Sequence, residues 1–509
     1  MTAGQTSAFV VMTALAVAAS SALQPAAATG TLRIGLQEDP DALDPAQGVS
    51  FVGRVVFAGL CDKLVDIDRS LAYVPQLATE WSWSSDNLSL TMKLRPGVVF
   101  QDGAAFDAAA VKANIERYKT APESRRKTEL KQVSAVEIVD SLTVRFMLSE
   151  PYTPLVGILS DRAGMMISPK AIASEGDKLA NHLICAGPYK FVERVAQDRI
   201  VLEKFDKYWN AGAINIDRVV YLPVPDQSVR LANLKAGGLE IAERVAPTDI
   251  EAVRSDARLK LVESPSLGYY TLLINTNNTE AADNPLGKNP KVREALEAAI
   301  DRNILNQVVF NGEYIASNQP VAPGTTYYAK DSPVPPRDVA KAKRLLAEAG
   351  VPKVSFSIIV ATSPIEQRVA EVIQSMAGEA GFDVKIEVQE ANTGVQNGIA
   401  GKFQSQLVIW SGRPDPDGNI SIWLACDGFL NWGKYCDPKL DNLLAKARHT
   451  TIVAERAAFY DQAAAIYLAA RPHLFLYHLK WIWGTTNRLD GFAPSPDGLI
   501  RLQGMALTP

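Results

Sequence analysis

Apolar positions recur along this chain with two different periods, and the switch between them marks its elements. Thr31 to Leu36 reads as a strand, and Leu88 to Leu94 alternates apolar and polar residues as a half-buried strand does. Ala108 to Tyr118 takes helical spacing, with Val111, Ile115 and Tyr118 on one face and Asp107 placed to cap the first turn. Val133 to Val139 and Leu142 to Leu148 flank Asp140-Ser141 and predict a hairpin. Val219 to Val224, Ser228 to Ala236 and Leu239 to Ile241 predict a strand, a helix and a strand.

The second half is more regular. Val354 to Ala361 predicts a strand, Ile365 to Glu379 a helix ended by Gly381, Asp383 to Gln389 a strand and Gln406 to Trp410 another strand. Strands joined by crossovers run parallel, so Thr362-Ser363-Pro364 and Ser411-Gly412-Arg413 are expected at one edge of one sheet, where α/β proteins collect ligands. Helices are expected at Pro290 to Asn306, with Val292, Leu296, Ala299, Ile300 and Ile304 inward, at Val339 to Ala349, and at Ala454 to Ala470. Leu474 to Trp483 reads as a strand, and the odd separation of His473 and His478 predicts opposite faces. The loop from Trp410 through Arg413 and Asp415 to Asn419 therefore presents a Trp and an Arg together at a strand end, as a recognition surface would.

Composition narrows the class. The 509 residues, 47% hydrophobic and 21% charged, describe a multidomain globular protein with large cores, and a net charge of −4 argues against nucleic acid as a partner. Ala8 to Leu23 is an apolar and small-residue run closed by Ala26-Ala27-Ala28, so export with cleavage near Ala28 is expected, although no Lys or Arg precedes Arg33. Of the four cysteines, Cys426 and Cys436 flank a short Gly-containing segment and are expected to pair; Cys61 and Cys185 then pair by elimination or stay as buried thiols.

Catalytic motifs are missing from the sequence: it contains no GxSxG, HExxH, Walker A or GxGxxG. Asp415-x-Asp417-x-Asn419 imitates the start of a calcium loop, but Ile420 and Cys426 stand where Gly and Glu are required, so neither metal nor cofactor is expected. Asp161-Arg162, beside apolar residues, reads as a surface salt bridge.

The order of several segments resembles the family 5 extracellular solute-binding proteins of ABC importers, the dipeptide, oligopeptide and nickel group. Leu36 to Pro45 is similar to that family's opening turn. Pro75-Gln76-Leu77-Ala78-Thr79-Glu80-Trp81, then Leu94-Arg95-Pro96-Gly97 through Gln101-Asp102-Gly103 and Phe106-Asp107, carry its most specific pattern. Gly187-Pro188-Tyr189 with Tyr208-Trp209, and Val292-Arg293-Glu294-Ala295-Leu296 before Ala299-Ile300-Asp301-Arg302, follow in the same order.

The resemblance implies an α/β protein of the type II periplasmic-binding-protein fold, with two lobes around a cleft and an extra inserted domain. The expected division is a signal peptide at 1–28, lobe I at 29–58, 186–272 and 485–509, the inserted domain at 59–185, and lobe II at 273–484. It implies a periplasmic, monomeric receptor that is not an enzyme. Such a receptor captures a peptide or peptide-like solute and delivers it to a permease and ATPase of the inner membrane. A non-peptide carboxylated solute (an opine, glutathione or a metal chelate) and a secreted hydrolase stay open as alternatives. Ligand contacts are expected from Trp410, Ser411, Gly412, Arg413, Asp415, Thr362, Ser363, Tyr270, Asn275 and Asp41. At Arg413 the chain departs from dipeptide-binding members, which look like Trp-x-Gly-Asp there and hold the peptide's ammonium with that carboxylate. A guanidinium instead suits a carboxylate of the solute, or else pairs with Asp415 or Asp417 to stiffen the loop.

Overall fold

A computed structural model describes Met1 and residues 30–508. The expected leader, Ala8 to Leu23 with cleavage near Ala28, lies outside the described residues. Two long antiparallel strands, Leu259–Ile274 and His473–Thr486, stand at the centre of an eleven-stranded sheet. One flank adds Ser405–Trp410, then Val354–Ala361 and Phe382–Gln389, these three parallel to one another. The other flank adds Ile241–Ala242, Thr31–Leu36 and Arg218–Pro223, followed by the antiparallel strands Arg199–Lys204 and Tyr189–Val195. The chain thus leaves the flank of Thr31–Leu36, the first that it builds, through one long strand, forms the flank of Ser405–Trp410, the second, and returns through the other long strand.

Each flank has its own apolar core. Ile34, Val56, Leu202 and Tyr221 belong to the first; Leu296, Phe356, Ile373 and Leu476 lie on one face of the second, with Tyr269, Trp423, Tyr460 and Phe475 on the other. A third core fills a separate antiparallel sheet, ordered Ala78–Trp83, Ser89–Leu94, Thr143–Leu148 and Val133–Asp140. Helix Ala108–Thr120 packs there, its first turn capped by Asp107, whose carboxylate accepts from the Ala110 amide.

The parallel series expected in the second half is present. Helix Pro364–Ala380 begins on the Ser363 cap and ends at Gly381, whose φ of 109° is left-handed. The next crossover carries a helix, Ala391–Ile399, that the sequence pattern did not announce. The single helix expected over Pro290 to Asn306 is two, Pro290–Ala299 and Arg302–Phe310. Ile300 is extended and Asp301 caps the second helix through the Asn303 and Ile304 amides, which turns Ile304 outward to 50% exposure instead of inward.

The histidine expectation also fails, for a local reason. Tyr270 pairs with Tyr477 but Thr271 pairs with Phe475, so Leu476 is an extra residue in the strand. One inserted residue flips the parity of everything beyond it. Tyr269 consequently lies 5.2 Å from the Phe475 ring and 5.8 Å from His478, and His473 stacks on Phe475 at 5.6 Å, so both histidines share one face. Burial lowers them, to about 3 for His473 and about 4 for His478, and both are neutral core rings at pH 7.

Cys426 pairs with Cys436, and Cys61 with Cys185, so the second couple is a disulfide rather than two buried thiols. Among the described residues no helix is long and apolar enough to cross a membrane.

Candidate functional site

The strand Ser405–Trp410 ends beside the middle of Leu259–Ile274, where Tyr269 pairs with Trp410 and the pairing with the other long strand is irregular between Pro265 and Tyr269. Gly412 follows with φ +80°, and a Cβ there would stand 2.4 Å from Leu267, so only glycine lets the loop press onto this stretch. Asn419 then ties the loop. Its side-chain oxygen accepts from the Trp410 indole at 3.0 Å and the Arg413 amide at 2.7 Å, and its amide donates to the Arg413 carbonyl at 2.9 Å. Its own carbonyl accepts from the Tyr269 hydroxyl. Arg413 leaves this frame with its guanidinium 4.3 Å from the Trp410 ring centroid.

The two carboxylates of the loop are engaged elsewhere. Asp415 accepts a bidentate pair from Arg456, and Asp417 accepts from Arg448 and from the Ser421 hydroxyl. Arg413 pairs with neither of them. Its Nε lies 2.9 Å from Asp161, whose other oxygen is 3.0 Å from the Nε of Arg54 and 3.9 Å from that of Arg162. Asp161-Arg162 is therefore no surface salt bridge: the two residues are 6% and 3% exposed, between Leu159 and Ala163 of the third core. Three parts of the molecule meet at this carboxylate. Arg54 comes from the apolar helix Phe51–Leu60 of the first flank, Asp161 from the chain beside the small sheet, and Arg413 from the second flank.

The charges do not balance. Arg126, 3% exposed, joins the group, and its Nε and that of Arg162 are buried without a hydrogen-bond partner among the described residues. Among the described residues, four guanidiniums, those of Arg54, Arg126, Arg162 and Arg413, make their ion pairs with the carboxylates of Asp161 and Glu129, which leaves two positive charges over. Burial lowers Arg162 to about 9, helped by Arg126 and resisted by Asp161; burial likewise lowers Arg413 to about 10, against Asp161. Burial by itself would raise the Asp161 carboxyl, but Arg54, Arg413 and Arg162 hold it well below the usual carboxylate range. Uncompensated, desolvated guanidiniums of this kind are made for an anion.

A second group lies across the aromatic pair Phe51 and Trp481, stacked at 4.8 Å. Arg244 stands 5.1 Å and 5.0 Å from these rings, with φ +51°, and interacts with Glu38, Glu243 and Glu366. Tyr270 donates to Glu366 at 3.1 Å. Burial raises all three carboxyls, opposed by Arg244 for Glu38 and Glu243, and by the Ala361 amide, Tyr270 and Arg244 for Glu366.

Of the residues singled out by sequence, the structure brings Trp410, Ser411, Gly412 and Arg413 to the arginine group, with Ser411 Oγ 3.4 Å from both Arg54 and Arg413. Tyr270, Thr362 and Ser363 stand at the Glu366 side, Ser363 as the cap of its helix. Asp41 accepts from the Val49 and Ser50 amides and shapes the turn before Phe51. Asn275, fully buried, spends its amide on the carbonyls of Asn278, Gly401 and Phe403, as Asp415 spends both carboxylate oxygens on Arg456. Arg54, Arg126 and Arg244 were not singled out. An arginine inside the otherwise apolar run Phe51 to Leu60 was the one signal available.

The site is shut. Across it the Thr153 amide donates to the Arg448 carbonyl at 3.0 Å, Lys131 meets Asp427 at 3.2 Å and Glu150 meets His449 at 3.3 Å. Surface depressions of about 140 and 360 Å³, beside Lys119 and Lys207, touch none of the arginines.

The description of the bacterial extracellular solute-binding proteins, family 5 (middle region), matches residues 72–431. The chain belongs to this family. As a family 5 protein its work is solute capture. It is 30% identical to the glutathione-binding protein GsiB of Pectobacterium atrosepticum over 98% of both chains. Its structure has the type II periplasmic-binding-protein fold. It matches AgaA of A. tumefacien R10, solved in complex with agropinic acid, at TM-score 0.84 and 25% identity over 94% of this chain and 99% of that one. It also matches the Escherichia coli murein tripeptide binding protein MppA at 23% identity, with TM-score 0.84 over 95% and 99% of the two chains. Against the unliganded open form of MppA the TM-score is 0.71 over 94% and 98% of the two chains.

Proposed function

We propose that this family 5 protein is the periplasmic receptor of an ABC importer for a small, peptide-like solute carrying at least two carboxylates, with glutathione as the type. The observation that carries this reading is the arginine group, with two positive charges over, buried between the flanks. Glutathione carries two carboxylates and one ammonium, and the relative at 30% identity is a glutathione-binding protein. The solute's carboxylates meet Arg162, Arg126, Arg54 and Arg413 on one side of the Phe51 and Trp481 wall. A solute that touches both flanks favours the closed form by its differential affinity, which is the whole of the mechanism: capture, closure, then docking on the permease. Catalysis has no part in it.

The division into lobe I, inserted domain and lobe II follows the two crossings at Leu259–Ile274 and His473–Thr486, which supply the hinge. Export uses the leader ending near Ala28. A non-peptide acid such as agropinic acid is the second reading, favoured by the likeness to AgaA. The acidic surroundings of Arg244 count against it, because they favour a solute that also bears an ammonium.

Purified protein, unfolded and analysed by mass spectrometry for released small molecules, tests the reading. Recovery of glutathione or another anionic peptide is expected. Recovery of neutral or cationic peptides alone, or turnover of a solute abolished by substitution of Arg413, overturns it.

A further inference from the structure

The arginine group already holds a carboxylate, and it belongs to the protein. Asp161 sits between Arg54 and Arg413 as a solute carboxylate would, with one oxygen 3.0 Å from the Arg54 Nε and the other 2.9 Å from the Arg413 Nε. Both pairs are buried, with side-chain exposures of 3%, 8% and 14% for Arg54, Asp161 and Arg413. Arg54 and Asp161 lie on one side of the closure and Arg413 on the other, so the 2.9 Å contact exists only when the flanks are together. The other ion pairs across the closure among the described residues, Lys131 to Asp427 and Glu150 to His449, are between half-exposed or exposed side chains and hold little; two hydrogen bonds, Thr153 amide to Arg448 carbonyl and Arg54 to Ser411 Oγ, add to them. Gly157, four residues before Asp161, makes the approach possible: a Cβ there would come within 2.6 Å of the Tyr73 hydroxyl and 3.2 Å of Asp415.

We propose that Asp161 is a built-in self-ligand, which draws Arg413 of the second flank onto Arg54 in the absence of solute and competes with the solute's carboxylate for the same two guanidiniums. This deepens the anionic-solute reading and rests on it for the second effect only. Two consequences follow from the geometry. The protein without solute samples the closed form, and its apparent affinity is reduced by the fraction of molecules so occupied. Asp161 also sets the charge of the solute. With its carboxylate in place the group accepts about two further negative charges; neutralised, it prefers a solute with one more.

The test uses full-length protein, freed of bound solute by unfolding and refolding, in three forms: unaltered, Asp161→Asn and Arg413→Gln. Small-angle X-ray scattering without solute reads closure, and calorimetric titration with glutathione reads affinity. Both variants are expected to show a larger radius of gyration than the unaltered protein. Their affinities move in opposite directions. Asp161→Asn binds glutathione about tenfold more tightly if nine-tenths of the unaltered protein is self-liganded, and glutathione restores its compactness. Arg413→Gln binds at least about tenfold more weakly, having lost a charged donor.

Scattering from Asp161→Asn that superimposes on that of the unaltered protein, or a weaker affinity for glutathione, overturns the proposal. If Asp161→Asn does not fold, Arg413→Gln decides by scattering alone, because an unchanged radius of gyration overturns the latch. Opening of the variants with no glutathione bound by any of the three supports the latch and counts against the solute reading. Glutathione binding weakened by Arg413→Gln with no opening in either variant does the reverse.

Discussion

Replacing Arg456 by methionine tests whether Asp415 belongs to the scaffold or to the binding site. Arg456 donates to the two oxygens of Asp415 at 2.7 and 2.8 Å, to the Ala447 carbonyl at 2.9 Å and to the Tyr460 hydroxyl at 3.2 Å. The two paired side chains are 8% and 10% exposed. Arg456→Met keeps the aliphatic length but leaves a buried carboxylate with no cation, and breaking a buried pair from one side costs about 3–5 kcal/mol. With a urea m-value of about 3 kcal/mol per M or more for a chain this long, the unfolding midpoint falls by about 1 M. Adding Asp415→Leu removes the orphaned charge and returns most of the loss, since apolar replacement of both partners is nearly neutral. Equilibrium urea titrations followed by tryptophan fluorescence measure both variants, and glutathione affinity, measured alongside on the folded proteins, is expected to change little. A cost under about 1 kcal/mol, the range of an exposed pair, refutes the reasoning. So does a collapse of affinity with stability intact, which would place Asp415 against the solute.

Two further perturbations probe the frame of the site. Asn419→Ala leaves the Trp410 indole and the Arg413 amide without their shared acceptor. A loss of about 1–3 kcal/mol is expected, together with weaker glutathione binding as Arg413 is released, and an unchanged midpoint contradicts it. Asp62 accepts from Tyr208, Trp209 and Gln76, and burial pushes its carboxyl up to about 7 in spite of the Trp209 and Tyr208 bonds. Its folded-state value thus exceeds the unfolded value of about 3.9, the folded protein binds the extra proton between the two, and stability falls as pH rises from about 4 to 7. Urea midpoints across that range are expected to lose this slope in Asp62→Asn; an unaltered slope shows that the carboxylate stays ionised.

Local periodicity made most strands and helices legible, because each is decided by neighbours within a turn or a pleat. Asp107 before Ala108, and Gly381 after Ala380, mark their helix ends in the sequence as they do in the structure. The errors have equally local causes. Leu474 to Trp483 is apolar on both faces, so nothing in the pattern betrays the extra residue Leu476 that puts His473 and His478 together. Asp301 is as good a cap as it is a helix residue, and only the extended Ile300 reveals the break. The site was half legible. Trp410 and Arg413 stand out at a strand end, whereas the partner of Arg413 comes from a distant segment, and no spacing rule connects Asp161 with either Arg54 or Arg413. Reading Asp161-Arg162 as a surface pair followed from their charge; their burial is a property of the third core packing on the second flank.

The central claim is that two solute carboxylates are held by the buried arginines between the flanks. Calorimetric titration of the solute-free protein with glutathione and with its diethyl ester tests it most directly. The free acid is expected to bind. The ester, which keeps the peptide and the ammonium but loses both charges, is expected to bind at least about a hundredfold more weakly, from two charged hydrogen bonds at about 1.5–3 kcal/mol each. Equal affinity for acid and ester would contradict the account.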